Sequence, residues 1–340
     1  MKKNVVWIFV IILVAVGFGG YWGYTRFFKK TAPKYTGPVE EVSLRLKWLH
    51  QAQFAGNYVA AEKGFYEDQG LKVDIQPINL DENTIDLVAA GKVDFGISSA
   101  DDVILARAKG KAIKAIAVIY KVNPVGIISL TESGIKTPSD LVEKKVGIQP
   151  GNPTEYLFDA TMESKGVALS KIKKVSIGYD ASEILEGKVD AIVGYVTNEP
   201  DMISQAGKKV STMLFSDYGV NVYSDVIFTS DKLIETKPEL VERFVRASVK
   251  GWQYAIEHES EAVDIILIYA KDSSKSHQEF MLKSSIPLIN ADSARLGVMS
   301  LTSWQRMEDI LIKQKIQTID ITITDAYTTR FIDSVYEKGL

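Results

Sequence analysis

The chain has 340 residues, of which 46% are hydrophobic and 24% are charged, so it is long enough for about two compact domains with a sizeable core. Its 40 basic and 43 acidic residues give a net charge of -3, which provides no general attraction for DNA or RNA. Cysteine is absent, which excludes structural disulfides, thiolate metal sites, a thiol nucleophile and a lipid-modified N-terminal cysteine.

The first feature along the chain is an uncharged, mainly apolar run from Asn4 to Thr25. A helix that crosses a bilayer needs about 20 residues, whereas the apolar part of a cleaved secretory signal has about 7 to 15. The aromatic residues at 21–24 are typical of a membrane interface. We therefore predict an uncleaved membrane anchor over 1–28, with a cleaved signal as the alternative. Basic residues flank both ends of the run, so its orientation stays open.

Residues 29–40 contain prolines and several lysines, which predicts an exposed linker. Apolar residues then alternate from Val42 to Trp48, as in a strand, and recur at helical spacing from Phe54 to Ala61. Further apolar runs are separated mostly by helical stretches, an alternation that favours parallel α/β sheets with crossover helices. These runs are Leu71–Ile75, Val93–Ile97, Ile113–Ile119, Val125–Leu130, Lys145–Ile148, Val175–Ile177 and Asp190–Val193.

A short internal similarity is consistent with two lobes. Gly91–Asp94 and Gly187–Asp190 both read Gly-Lys-Val-Asp and both lead into an apolar run. They are either one structural repeat, with a copy in each lobe, or a common turn-to-strand sequence that occurs twice. Farther on, an apolar stripe from Leu240 to Ala255 follows Pro238, which predicts a helix packed against the core.

Motifs for catalysis are scarce. The histidines His50, His258 and His277 do not have the HExxH spacing of a zinc site. Neither a Walker A pattern nor a Gly-x-Ser-x-Gly elbow occurs. We therefore expect no enzymatic activity, no metal and no cofactor.

Polar and aromatic residues lie instead at the carboxyl ends of the predicted strands, where open α/β sheets bind ligands. Each of them could equally be a core residue, a helix cap or a solvated acid. Together they predict a small-molecule cleft between two lobes. The candidate ligand-binding residues are Trp48, Gln51, Gln53, Ser99, Asp101, Asn152, Thr154, Tyr195, Asn198, Glu199, Tyr218 and Tyr223.

The residue types suggest roles for some of these candidates. Trp48 and the three tyrosines offer flat faces for stacking, and Glu199 is suited to accept hydrogen bonds from N–H groups, with Asp101 as a second polar anchor. Ser99 and Asn152 would orient the ligand, and Asn152 would also cap a helix that begins at Pro153 and whose N-terminus can take an anionic or carbonyl group. The strand ends lack the cluster of basic residues that a sulfonate would need. We therefore expect a neutral or weakly basic heterocycle.

Several ordered blocks resemble the substrate-binding proteins of ABC importers, in the group that binds thiamine pyrimidine precursors. The likeness runs from about residue 42 to the C-terminus, and the blocks are Leu46–Ala60, Glu62–Leu71, Gly91–Ala108, Gly187–Pro200, Asp217–Tyr223 and Phe228–Ser230. The resemblance implies an α/β, two-lobed periplasmic-binding-protein type II fold. Its two crossing strands are expected near Val125–Leu130 and Val226–Thr229, with 41–127 and 228–340 in the first lobe and 128–227 in the second.

The resemblance also implies a function. The chain would be a membrane-tethered, extracytoplasmic solute-binding component that closes around a small nitrogen heterocycle and delivers it to an ABC permease and its ATPase. The alternative is a ligand-sensing module that acts through a membrane signalling partner.

Two departures from the family pattern bear on the ligand and the activity. Relatives that bind thiamine-related pyrimidines often show Trp-x-Pro-Asn-x-x-His, but Gln51 and Phe54 follow Trp48 in place of the Asn and His. A flavin-like vitamin therefore stays open beside a pyrimidine. The related synthase of the thiamine pyrimidine uses a cysteine-rich iron-binding motif, which this chain cannot supply.

Overall fold

The computed structural model describes residues 34–289 and 295–340. Within these ranges, no helix combines the length and the apolar character that a membrane crossing requires. The predicted anchor over 1–28 lies outside the described residues.

Two five-stranded sheets organise the described chain. The first sheet has the order β2-β1-β3-β10-β4 and consists of β1 (Glu40–Arg45), β2 (Leu71–Gln76), β3 (Phe95–Ser98), β4 (Ile113–Tyr120) and β10 (Ser224–Ser230). The second sheet has the order β7-β6-β8-β5-β9 and consists of β5 (Val125–Leu130), β6 (Lys145–Ile148), β7 (Lys173–Ser176), β8 (Ala191–Tyr195) and β9 (Val210–Leu214). Each sheet forms the centre of one lobe.

Helices cover the faces of both sheets. Those of the first lobe are α1 (Ala55–Glu62), α2 (Phe65–Asp68), α3 (Thr84–Ala89), α4 (Ala100–Ala108), α8 (Asp231–Thr236), α9 (Pro238–Glu257), α10 (Glu259–Tyr269), α11 (Lys275–Ile289), α12 (Leu301–Lys313) and α13 (Arg330–Lys338). Those of the second lobe are α5 (Pro153–Ser164), α6 (Ser182–Leu185) and α7 (Glu199–Gln205). Short 3-10 turns lie at Ala52–Phe54, Thr131–Ser133, Pro138–Leu141, Leu169–Lys171, Phe215–Tyr218 and Ile323–Asp325.

Local signals in the sequence place several of these helices correctly. Asn152 caps α5 by accepting a hydrogen bond from the Thr154 N–H, and Pro153 is the first helical residue, as predicted. The predicted stripe on α9 is buried, including Leu240 and Trp252. These elements form because caps and amphipathic spacing act within a few residues of the chain.

The two lobes repeat one sheet topology. In both sheets the strand that follows a Gly-Lys-Val-Asp sequence, β3 or β8, is the middle strand, and its neighbours correspond position by position. Gly91 and Gly187 both adopt the left-handed conformation, with φ of 67° and 70°. The structure therefore favours a structural repeat over coincidence.

The sheets are mixed, not wholly parallel as the alternation predicts. β10 runs antiparallel to β3 and β4, and β5 runs antiparallel to β8 and β9. Both are the first strands after the chain passes from one lobe to the other, so each enters its new sheet from the opposite direction. Local sequence patterns carry no information about that direction.

The crossings also lie at slightly different positions from those expected. The strands at Val125–Leu130 and Val226–Thr229 each belong wholly to one sheet, so the chain crosses in the connections at 121–124 and 219–223. The side chain of Asn221 joins the two connections: it donates to the Lys121 carbonyl at 2.9 Å and accepts from the Asn123 N–H at 3.0 Å. These two connections, joined by Asn221, therefore form the hinge between the lobes.

The contact between α1 and α9 depends on a glycine. A Cβ at Gly251 would lie 2.0 Å from the carbonyl oxygen of Gly56 and 2.8 Å from the Cβ of Ala60. We expect Gly251→Ala to lower the free energy of unfolding by about 1 to 3 kcal/mol, because the helices must separate. Urea unfolding followed by tryptophan fluorescence measures this. Gly178→Ala is the control, since a Cβ there meets nothing within 4 Å; equal midpoints for the two variants would contradict the prediction.

Candidate functional site

A cavity of about 360 Å³ lies between the two lobes, beside the hinge. This volume is in the range of small-molecule sites. All of the predicted binding residues except two tyrosines line it: Trp48, Gln51, Gln53, Ser99, Asp101, Asn152, Thr154, Tyr195, Asn198 and Glu199. They lie at or just beyond the carboxyl ends of strands in both sheets, in loops and in the first turns of helices, so the strand-end rule brings together residues that are distant in the chain.

Tyr218 and Tyr223 are not part of the cavity wall, which corrects the prediction for both. Tyr223 lies in the second crossing and is buried against Trp304, with 6.4 Å between the ring centroids. The hydroxyl of Tyr218 donates to the Lys136 carbonyl at 3.4 Å, within the second lobe. The direction of these side chains is set by packing around the hinge, which their sequence positions do not reveal.

A buried ion pair supports the floor of the cavity. Nζ of Lys47 lies 2.7 Å from Oδ1 of Asp225, a carboxylate that is only 2% exposed. Burial on its own would lower the pKa of Lys47, but the Asp225 carboxylate, together with Tyr195 and Asp102, outweighs it, so the pKa of Lys47 is raised and the ammonium stays charged. Asp225 also accepts two hydrogen bonds from Nε2 of Gln53, at 3.0 and 2.9 Å. The pair therefore holds one of the cavity amides in place.

The carboxyl groups of Asp101 and Asp102 lie near the N-terminus of α4. Asp101 is fully buried and accepts a short hydrogen bond from the hydroxyl of Tyr156, which belongs to the second lobe. Burial, followed by the charge of Asp102, raises the pKa of Asp101 to about 6. Oδ2 of Asp102 accepts from the hydroxyls of Ser98 and Ser99, at 2.7 and 2.9 Å. Asp101 thus links the two lobes at the cavity wall.

Glu199 faces the cavity from the second lobe. Its Oε2 accepts a hydrogen bond from the backbone N–H of Tyr195 at 2.9 Å. Burial raises the pKa of Glu199 to about 7, against the opposing effect of its hydrogen bonds. A Cβ at Gly194 would lie 3.0 Å from the Glu199 carboxyl, so the absence of a side chain there leaves room for it. At neutral pH this group is therefore close to the midpoint of its titration.

Aromatic and apolar side chains surround the cavity entrance. The rings of Trp48 and Tyr179 come from opposite lobes and lie 5.3 Å apart between centroids, tilted by 54°. Ile78 and Leu80 line the same space, and Leu80 is 83% exposed. The ring of Tyr195 lies deeper, with Nζ of Lys47 5.8 Å from its centroid. Flat apolar faces and hydrogen-bonding groups thus converge from both lobes.

Sequence reasoning missed several cavity residues: Lys47, Asp102, Asn123, Gln149 and Tyr179. Tyr179 follows the predicted strand at Val175–Ile177, so the strand-end rule applied there would have found it. Asp102 lies beside Asp101 within the block Gly91–Ala108 and could have been found in the same way. Lys47 can be assigned to the cavity only through its ion pair with Asp225, and no short-range sequence pattern connects these two residues.

Comparisons with known proteins agree with this architecture. The family model described as NMT1/THI5 like matches residues 51–262. The formylaminopyrimidine-binding protein of Halalkalibacterium halodurans is 30% identical over 277 residues, which cover 79% of this chain and 84% of that protein. The riboflavin-binding protein RibY of Chloroflexus aurantiacus is 27% identical over 313 residues, 88% of each chain.

Other relatives carry different names. A 4-amino-5-hydroxymethyl-2-methylpyrimidine phosphate synthase of Legionella pneumophila is 26% identical over 301 residues, covering 86% of this chain and 92% of the synthase. The crystal structure of the periplasmic aliphatic sulphonate binding protein SsuA from Escherichia coli superposes with a TM-score of 0.70 at 14% identity, covering 84% of this chain and 91% of SsuA. That likeness shows the fold, so the predicted two-lobed, periplasmic-binding-protein-like α/β architecture is confirmed.

Proposed function

The chain belongs to the NMT1/THI5-like family, and from this premise we propose that it is a solute-binding protein that closes its two lobes around a small nitrogen heterocycle. The observation that carries the proposal is the cavity between the lobes, walled by aromatic rings and carboxyl groups from both sides. Two relatives are named for riboflavin and formylaminopyrimidine, which are both nitrogen heterocycles.

The charges around the cavity support a neutral or weakly basic ligand. Its wall carries the carboxyl groups of Asp101, Asp102 and Glu199, and the Lys47 ammonium is already paired with Asp225. A sulfonate or other strong anion would meet these carboxyls with no unpaired ammonium or guanidinium on the described wall. Ring N–H and amino groups, in contrast, suit carboxyl acceptors.

Of the two ligand groups expected at the N-terminus of α5, the local contacts favour a carbonyl over an anion. The Thr154 N–H is already taken by the side chain of Asn152, and Glu155 adds a negative charge to the first turn. These features make an anion unfavourable there. The hydroxyl of Thr154 is buried without a partner in the described part of the chain, so it is the group that remains for a carbonyl or ring nitrogen of the ligand.

We further propose that the protein is tethered to the outer face of the cytoplasmic membrane by residues 1–28 and passes its ligand to an ABC permease driven by its ATPase. A ligand that touches both lobes favours the closed form, which is the form that a permease can distinguish from the empty protein. No covalent step is needed for this role.

A thermal-shift screen of the full-length chain in detergent tests the binding function. The compounds are riboflavin, formylaminopyrimidine, 4-amino-5-hydroxymethyl-2-methylpyrimidine, taurine and an alkanesulfonate. A ligand at 100 times its dissociation constant adds about 2.7 kcal/mol to the stability of the folded state. We expect stabilisation by a heterocycle and loss of uptake of that compound in cells without the gene. Stabilisation by the sulfonates alone would contradict the proposal.

Trp48 is expected to provide one face of the binding site. We predict that Trp48→Ala weakens binding of the heterocycle found in the screen about 30-fold, because the ligand loses a stacking surface. Isothermal titration calorimetry measures the change. Tyr218→Ala is the matched control, an aromatic residue of the second lobe outside the cavity, and should leave the affinity unchanged. Equal effects of the two substitutions would remove Trp48 from the site.

A further inference from the structure

A histidine of the first lobe bridges to the second lobe at the edge of the cavity. His277 lies in the first turn of α11, and its Nδ1 is 2.7 Å from Oδ2 of Asp201, while its Nε2 is 3.0 Å from Oδ1 of Asn198. Both partners lie at the start of α7 in the second lobe, and Asn198 lines the cavity. His277 therefore connects lobe closure to a residue of the binding site.

The hydrogen-bonding partners define the protonation state that this bridge needs. The amide N–H of Asn198 also donates a hydrogen bond to the Glu199 carboxyl, and this bond stabilises the carboxylate form of Glu199. The amide oxygen then faces His277, and Asp201 offers a carboxylate to the other ring nitrogen. Only an imidazolium can donate from both nitrogens at once.

The same helix reaches the cavity loop and the hinge. Oε1 of Gln278 accepts a hydrogen bond from the Ala52 N–H at 2.6 Å, between the cavity residues Gln51 and Gln53. At the other end of α11, the Leu288 carbonyl accepts from the N–H of Val122 in the first crossing, at 3.1 Å. The helix that carries His277 therefore also contacts the cavity loop and the hinge.

We propose that His277, as an imidazolium, is a positioning residue that latches the two lobes together and orients Asn198 and Glu199 toward the ligand. The inference rests on the proposed function, because a latch matters only if the lobes close around a ligand. Loss of the proton removes one of its two donors, so the closed form loses an interlobe hydrogen bond as the pH rises.

The charged groups near His277 come from three helices. Asp201 of α7 is in direct contact with it, and Glu199 lies two residues earlier on the same helix. On its own helix, the ammonium of Lys275 is paired with Asp264 of α10 at 2.5 Å, and Glu279 lies close to Lys275. The cation nearest to His277 along the chain is therefore neutralised, and the carboxylate of Asp201 dominates its surroundings.

The latch is tested by measuring the distance between the lobes in the full-length protein without ligand. Because the chain has no cysteine, Ala90→Cys in the first lobe and Ser139→Cys in the second lobe accept spin labels at these two positions alone. Electron–electron double resonance is recorded at about pH 6 and about pH 8, across the range in which histidine titrates. We expect longer interlobe distances at the higher pH.

Two variants separate the latch from a general effect of pH. His277→Gln should give the longer distances at both pH values, and His258→Gln, an exposed histidine of the first lobe, should behave like the wild-type chain. With riboflavin as the probe, His277→Gln should also bind about tenfold more weakly at pH 6 than the wild type. Wild-type distances and an unchanged pH response in His277→Gln would overturn the latch. If riboflavin does not bind but the distances change as expected, the latch is supported and only riboflavin is excluded as the ligand.

Discussion

Replacing Asp225 by asparagine is expected to lower the free energy of unfolding by about 3 kcal/mol, because it leaves the Lys47 ammonium buried without its counter-charge. The Lys47 and Asp225 side chains are only 16% and 2% exposed, so water cannot replace the lost carboxylate. Asparagine suits the test, since Asp225 has a φ of 38° and asparagine tolerates the left-handed region. Urea unfolding at pH 7 measures the change.

Two further variants identify the cause. Glu41→Gln breaks the Glu41–Lys72 pair in the same sheet, whose side chains are 78% and 75% exposed, and should change the stability by less than about 0.5 kcal/mol. The double variant Lys47→Met/Asp225→Asn removes both charges and should recover most of the lost stability. If Asp225→Asn is as mild as Glu41→Gln, the ion pair does not support the cavity floor.

The second large effect is expected at Glu199, where Glu199→Gln should make the ligand-free protein about 3 kcal/mol more stable at pH 8. Burial raises the pKa of this carboxyl from 4.5 to about 7, so the folded state binds a proton that the unfolded state releases. The stability of the wild type therefore falls as the pH rises from about 4.5 to about 7. Glutamine resembles the protonated group and abolishes this decrease.

Urea unfolding of the wild type and Glu199→Gln at pH 5 and pH 8 checks the sign. The stability difference between the two proteins should be small at pH 5 and large at pH 8, and Glu235→Gln, an exposed carboxyl on α8, should show no such difference. Glu199→Gln should also weaken the binding of a ligand that donates N–H groups by about 1.5 to 3 kcal/mol. Unchanged affinity would exclude Glu199 from the binding site, and an unchanged pH dependence would refute the effect of burial.

These two residues suggest how the cavity balances binding against stability. We expect Glu199 to destabilise the empty protein at neutral pH, as is common for groups that serve ligand binding. Asp225 has the opposite effect, because its charge is fully compensated by Lys47 and Gln53. A ligand that donates N–H groups to Glu199 is expected to offset this loss of stability.

Sequence patterns alone predicted the α/β class, most strand positions and ten of the residues that line the cavity. Alternation of period two and helical spacing depend on which face a residue presents, which a window of a few residues reveals. Caps such as Asn152 act over two residues, and the strand-end rule needs only the positions of the strands. For this reason the cavity residues from Trp48 to Glu199 could be predicted from the sequence.

The tertiary structure decided whatever depends on how distant segments meet. The antiparallel insertion of β5 and β10 follows from the path of the two crossings, and Tyr223 packs on Trp304 because the second crossing directs it there. Gln53 and Asp225 are 172 residues apart in the chain, and His277 meets Asn198 only when the lobes are in contact. Such pairings depend on sheet register and lobe closure, which are set by the packing of the whole molecule and leave no short-range pattern in the sequence.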